Sequence, residues 1–140
     1  SACDAMHIAG EFVGRFVHDR KALAAIALTA DSGIITAIAN DYSYEEVFSR
    51  QVEALGKAGD VLIAMSTSGK SPNVLKAIAV AKEKGLKTVL LTGEKGRNVV
   101  SGADIILVAP SMITAHVQEA HMVALHALAS LVENELFPKL

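Results

Sequence analysis

Four short apolar runs along the chain have the pattern of buried strands. They are rich in Val, Ile and Leu and do not alternate with polar residues, as parallel strands covered on both faces do. The runs are Ala24–Leu28, Val61–Met65, Thr88–Leu91 and Ile105–Val108. Helical patterns lie around them, roughly over Ala2–Val17, Ser32–Ala39, Tyr44–Lys57, Pro72–Lys84 and Thr114–Glu135. Alternating strands and helices predict an α/β fold, a doubly wound parallel sheet flanked by helices.

Composition narrows the class of protein without naming a function. The 140 residues are 51% hydrophobic and 20% charged, which predicts one domain over residues 1–140 with a substantial core. The net charge of −2 gives no reason to expect nucleic acid or a membrane surface as a partner. The single Cys excludes a disulfide scaffold and favours a reducing compartment such as the cytoplasm.

The first residues raise a question about what precedes them. Ser1 and Asp4 have the spacing of a capping box, which predicts a helix that begins at the start of this chain. A charged α-amino group at the positive end of a helix dipole is unfavourable. We therefore expect the chain to be part of a longer protein, with residues missing upstream.

A hydroxyl-rich loop follows the second apolar run. It reads Ser66-Thr67-Ser68-Gly69-Lys70-Ser71 and is followed by Pro72, which favours the first position of a helix. The carboxyl end of a parallel strand and the N-terminus of a helix are where α/β folds bind anions. The segment lacks the P-loop and dinucleotide patterns, so a phosphate ester on a small molecule is the expected ligand. An ordinary serine-rich turn remains the alternative.

The first helix carries His7 and Glu11 four residues apart on its polar face. Such a pair can bind zinc or move a proton, although a polar face exposed to solvent explains it equally well. Gly10 and Gly14 beside them are costly in a helix and fit the close approach of a ligand or another helix.

The last helix is apolar almost all round, which predicts burial. Gln118 and His126 lie along one of its stripes and need polar partners there. They either face His7 and Glu11 as further ligands or are satisfied within the core. The same helix also offers His116, Glu119 and His121, and spacing alone does not choose among these candidates.

Four separated segments form a longer pattern: Ser1–Phe12, Asn40-Asp41-Tyr42, Ser66–Ser71 and Gln118-Glu119-Ala120-His121. In this order they resemble the phosphoheptose isomerase family, whose members have the sugar isomerase (SIS) fold. The resemblance extends over essentially the whole chain. It implies a cytoplasmic homotetramer that binds zinc and takes a sugar phosphate as substrate. The implied reaction converts sedoheptulose 7-phosphate into D-glycero-D-manno-heptose 7-phosphate, on the way to the heptose of bacterial lipopolysaccharide.

The resemblance also implies roles for individual residues. The metal ligands would be His7, Glu11, Gln118 and His126. Glu11 and His126 would transfer protons. Other contacts to the substrate would come from Arg15, Asn40, Asp41, Ser66, Thr67, Ser68 and Ser71, with Glu11 and Gln118 from the metal site.

This chain departs from the family pattern before Ser1. Family members carry an N-terminal helical region and a first strand ending in Asn-Gly-Gly, and neither is present here. Part of the substrate site would lie in that segment. Two other functions remain open, namely a non-catalytic SIS protein that binds a replication initiator and a sensor of sugar phosphates.

Overall fold

A three-stranded sheet forms the centre of the computed structural model, which describes residues 1–99 and 101–138. Its strands are β1 (Val61–Ser66), β2 (Lys87–Gly93) and β3 (Ile105–Ala109). They lie in the order β1-β2-β3, and both neighbouring pairs are parallel. Three predicted strands and their parallel arrangement are therefore confirmed.

Five α-helices accompany the sheet in the described part of the chain. They are α1 (Ala2–Val13), α2 (Ser32–Asp41), α3 (Ser49–Leu55), α4 (Pro72–Glu83) and α5 (Thr114–Leu136). Short 3-10 turns cover Tyr44–Glu46 and Glu94–Gly96. None of the helices described is both long enough and apolar enough to cross a bilayer.

Helices cover both faces of the sheet, because successive strand side chains point to opposite sides. On one face Leu91 of β2 packs with Ile8 of α1 and Leu125 of α5. On the other face Leu90 of β2 packs with Ile78 of α4. The sheet is therefore doubly wound, as predicted, and α1 and α5 share one side of it.

The predicted strand over Ala24–Leu28 is wrong. This segment has no strand neighbour among the described residues. The carbonyl of Leu28 instead accepts a hydrogen bond of 2.9 Å from the Gln51 side chain, and the Leu28 side chain packs beside α3 and α4. A strand needs a ladder of backbone hydrogen bonds, and an apolar run alone does not supply one.

Two helix boundaries also differ from the prediction. α1 ends at Val13 rather than Val17, because the backbone beyond Gly14 turns towards a carboxylate on α5. The helix predicted over Tyr44–Lys57 is divided into a 3-10 turn and α3. At the break the Ser49 hydroxyl donates to the Glu46 side chain at 2.7 Å, and such local bonds compete with helix continuation.

Candidate active site

Three side chains able to bind a metal ion come together between α1 and α5. The Nε2 atom of His7 lies 3.1 Å from Glu11 Oε1 and 3.0 Å from His126 Nε2. The ligand atoms of all three residues lie within 4.8 Å of one another. His7 and Glu11 share a face of α1, whereas His126 comes from α5, 119 residues after His7. We call these three residues the His–Glu–His group.

The packing of α1 against α5 places this group. Ile8 and Leu125, the chain neighbours of His7 and His126, belong to the same buried cluster. The ring of Phe16 stacks on the imidazole of His126, with centroids 5.3 Å apart and planes 19° from parallel. The three side chains come from distant parts of the chain, and the hydrophobic contacts of neighbouring residues hold them together.

The donor set of the His–Glu–His group fits zinc. Two imidazole nitrogens and one carboxylate oxygen are typical ligands of catalytic zinc, which keeps a fourth position open. The two facing Nε2 atoms also need a proton or a cation between them, since two neutral acceptor nitrogens repel. His7 is exposed and its two partners are half-buried, so a small molecule can reach the group.

Gln118, the fourth expected ligand, also lies on α5. It precedes His126 by eight residues on α5, which corresponds to about 12 Å along a helix axis. A single chain brings three of the four expected ligands together, and the role of Gln118 as the fourth stays a prediction from the resemblance.

The competing candidates on α5, which are His116, Glu119 and His121, lie outside the His–Glu–His group. His116 and Glu119 are exposed. His121 is only 2% exposed, and neither of its ring nitrogens has a hydrogen-bond partner among the described residues. It lines a cavity of about 200 Å³ beside β3. Its surroundings are thus separate from the His–Glu–His group.

The serine loop, residues 66–71, joins β1 to α4 as the sequence predicts. Ser71 is the N-cap of α4 and Pro72 its first helical residue. The Ser71 hydroxyl makes no capping bond and instead lies 3.0 Å from the hydroxyl of Ser66. The hydroxyl groups of Ser66 and Ser71 therefore lie together at the N-terminus of α4, where free N–H groups and the helix dipole favour an anion.

Close backbone contacts fix the serine loop against the turn after β2. Gly69 has a φ of +67°, and a Cβ atom there would lie 2.7 Å from the Cα of Gly96. A Cβ atom on Gly96 would lie 2.0 Å from Thr92 Oγ1. The N–H of Gly93 donates to the Thr67 carbonyl at 3.0 Å. Glycine at these positions is therefore what allows the loop to pack so closely.

The other expected substrate residues are exposed. Asn40 and Asp41 are the last two residues of α2, and Arg15 lies two residues beyond the end of α1. Within the described ranges, no hydrogen bond joins these three side chains to the serine loop or to the His–Glu–His group. Their assignment stays a prediction from the resemblance.

A buried ion pair that sequence reasoning missed lies beside the group. The Nε atom of Arg20 is 2.9 Å from Glu133 Oε1, and their side chains are 2% and 1% exposed. The same carboxylate accepts the backbone N–H groups of Phe16, Val17 and His18 at 2.8, 2.9 and 3.1 Å. An acidic residue within an apolar helix was the available signal, because a buried charge requires partners.

These contacts determine the charge of Glu133. Burial by itself would raise the pKa of the carboxyl group. The three backbone N–H groups and the Arg20 guanidinium outweigh that effect and lower the pKa from 4.5 to about 2. Glu133 is therefore ionised at neutral pH.

Comparison with known proteins places the chain in a family. The family model for the SIS domain matches residues 1–93, which is well over half of the chain. The chain therefore belongs to the SIS domain family, which accounts for its parallel sheet and flanking helices.

Individual relatives make the assignment more specific. The chain is 55% identical over 139 residues to a phosphoheptose isomerase from Burkholderia pseudomallei, covering 99% of this chain and 71% of that protein. It is 52% identical over 137 residues to one from Thermodesulfovibrio yellowstonii, covering 98% and 68%. Within the SIS domain family the chain is thus a member of the phosphoheptose isomerases and an enzyme of the isomerase class.

Solved structures agree with this assignment. A phosphoheptose isomerase from Neisseria gonorrhoeae superimposes with a TM-score of 0.87 at 42% identity, covering 95% of this chain and 71% of that chain. One from Francisella tularensis gives a TM-score of 0.90 at 35% identity with the same coverages. The fold expected from the resemblance is confirmed.

Proposed function

We propose that this isomerase converts sedoheptulose 7-phosphate into D-glycero-D-manno-heptose 7-phosphate through an enediol. The observation that carries the proposal is the convergence of the His–Glu–His group from two helices 119 residues apart in sequence. An aldose–ketose isomerisation needs proton donors and acceptors held together over two adjacent carbons, and this group supplies them. The names of the relatives supply the substrate class.

Glu11 and His126 are the proposed proton-transfer pair. One removes the proton from the carbon next to the carbonyl and returns it to the neighbouring carbon. The other carries a proton between the two oxygens. Both side chains are half-buried, and Glu11 Oε1 and His126 Nε2 lie 3.1 and 3.0 Å from His7 Nε2, so each reaches the same small volume.

A zinc ion held by His7, Glu11 and His126 would stabilise the negative charge that develops on the enediolate oxygens. Ligation and base catalysis compete for the Glu11 carboxylate, because a bound cation lowers its basicity. Kinetic measurements on variants must therefore decide which of Glu11 and His126 acts as the base in the forward and in the reverse reaction.

The serine loop is the proposed phosphate site. Ser66, Thr67, Ser68 and Ser71 lie at the N-terminus of α4, where their hydroxyls and the backbone N–H groups suit phosphate oxygens. Arg15, Asn40, Asp41 and Gln118 complete the proposed contacts to the sugar. Loss of this loop should weaken substrate binding more than it slows the chemistry.

We further propose that the enzyme acts as a homotetramer in the cytoplasm and supplies heptose for lipopolysaccharide. The resemblance to the phosphoheptose isomerases supports an oligomer. Val123 and Leu131 of α5 are 70% and 67% exposed, and a second copy would cover such apolar surface. Light scattering on the full-length protein tests this, and a stable monomer would contradict it.

The direct test is an assay with sedoheptulose 7-phosphate before and after chelation, with the aldose phosphate measured as product. We expect turnover that is lost with chelator and restored by zinc. His7→Ala should abolish the zinc-dependent rate, whereas His116→Ala, an exposed histidine of α5, should keep it. No aldose phosphate from the full-length enzyme supplied with zinc would refute the proposed reaction.

A further inference from the structure

The Glu133 carboxylate has an unusually complete set of donors. It accepts three consecutive backbone N–H groups, of Phe16, Val17 and His18, and the Nε–H of Arg20. All these donors lie on the segment that follows α1, while Glu133 lies near the end of α5. One side chain therefore fastens the connection after α1 to the helix that carries His126.

Arg20 extends the connection to the backbone of Glu11. Its Nη2 donates to the Glu11 carbonyl at 2.8 Å, and its Nη1 donates to the Phe12 carbonyl at 2.7 Å. These carbonyls belong to the last turn of α1, where backbone acceptors lack partners within the helix. A guanidinium at this end also complements the helix dipole. The backbone of a proposed ligand is thus bonded directly to the buried ion pair.

Phe16 extends the connection to His126. Its N–H is bound by Glu133 at 2.8 Å, and its ring stacks on the His126 imidazole. His126 and Glu133 are seven residues apart, two turns along the same face of α5. The carboxylate thus binds the backbone of the residue whose ring lies against the imidazole.

We propose that Glu133 and Arg20 are positioning residues that set the geometry of the His–Glu–His group, acting on Glu11 through its backbone and on His126 through Phe16. This inference rests on the proposed metal site. A buried ion pair is often no more stabilising than apolar residues of the same size, because both charges must lose water. What this pair supplies is a defined arrangement of α1 relative to α5.

The test measures zinc dissociation constants of the full-length protein, wild type and variants, by competition with a coloured chelator. Glu133→Gln, Arg20→Lys and Phe16→Leu each break a different step of the connection. Asp104→Asn is the control. The Asp104 carboxylate also accepts a backbone N–H and a side-chain hydroxyl, both from Thr88 at the start of β2. Loss of a partner that bonds a ligand side chain directly weakens metal binding about 10- to 100-fold, which sets the upper range for these variants.

We expect Glu133→Gln and Arg20→Lys to bind zinc about 10- to 100-fold more weakly, and Phe16→Leu to be weakened to a smaller extent. Asp104→Asn should keep wild-type affinity even where its unfolding temperature falls. Wild-type affinity in Arg20→Lys and Phe16→Leu would overturn the inference, and these two variants decide it if Glu133→Gln does not fold. An equal loss in Asp104→Asn would also overturn it, because general destabilisation would then suffice.

A second readout needs no metal and no turnover. The stacked Phe16 ring shifts the ring-proton NMR signals of His126, and we expect Arg20→Lys and Glu133→Gln to move them towards the values seen in Phe16→Leu. If the wild-type protein bound no zinc, the proposed metal site would fail, while these signals would still decide the positioning inference. Signals unchanged in both ion-pair variants would refute it.

Discussion

The serine loop and the His–Glu–His group, the two halves of the proposed substrate site, are assembled in different ways. The loop is six consecutive residues between β1 and α4. The group joins residues 119 apart and exists only where α1 packs against α5. A contiguous loop keeps its shape when distant helices shift, whereas the group does not, and an error of about 1 Å is enough to impair catalysis.

The interactions that hold the two halves also differ. The serine loop is held by close backbone approach at Gly69 and Gly96. The His–Glu–His group depends on apolar packing and on the buried pair of Glu133 and Arg20. We therefore expect the two halves to respond separately to substitution and to acid.

The largest effect is expected at Glu11. Glu11→Gln should lower kcat about 100-fold or more, the usual loss when an acid–base group is removed, while the fold is retained. Steady-state kinetics and circular dichroism measure the two quantities. Glu83→Gln, an exposed change on α4, is the control. Wild-type turnover in Glu11→Gln would remove Glu11 from the proposed chemistry.

The serine loop should give a different kinetic signature. The double variant Ser66→Ala, Ser68→Ala should raise KM for the sugar phosphate about 10-fold and change kcat little, since hydrogen bonds to a charged phosphate are lost. Ser32→Ala, at the exposed start of α2, is the control. Unchanged kinetics in the double variant would mean that the loop is only a turn.

Acid should weaken the contact between α5 and the segment that follows α1. The folded pKa of Glu133, about 2, lies below its ordinary value of 4.5, so its contribution to stability is present above pH 4.5 and is lost as the pH falls towards 2. Wild type and Glu133→Gln should therefore differ most in urea midpoint near neutral pH. The difference should shrink steadily below pH 4.5. A difference that is independent of pH would contradict this.

An exposed ion pair should matter least. Glu94 and Arg97 pair at 2.6 Å, but their side chains are 36% and 52% exposed. Glu94→Gln should shift the thermal midpoint by no more than about 2 °C, because solvent and salt screen such pairs. Differential scanning calorimetry of Glu94→Gln and Glu133→Gln, each against wild type, compares the two losses of thermal stability. A loss as large as that in the Glu133 variant would show that burial is not what distinguishes the two pairs.

Local patterns predicted the elements well where one segment determines the outcome. The apolar run Val61–Met65 correctly predicted β1. The cap at Ser71 and the proline at position 72 correctly predicted where the serine loop ends and α4 begins. The error at Ala24–Leu28 has the opposite cause. An apolar run shows that a segment will be covered, but only a neighbour with free backbone groups makes it a strand.

The sequence by itself determined the alternation of strands and helices, the position of the serine loop between a strand and a helix N-terminus, and the pairing of His7 with Glu11 on one helix face. Each of these depends on residues within a few positions of one another. Only the tertiary structure decided that His126 joins that pair and that Glu133 meets Arg20. These depend on how α1 and α5 pack, and side-chain contacts over more than 100 residues leave no periodic signal in the chain.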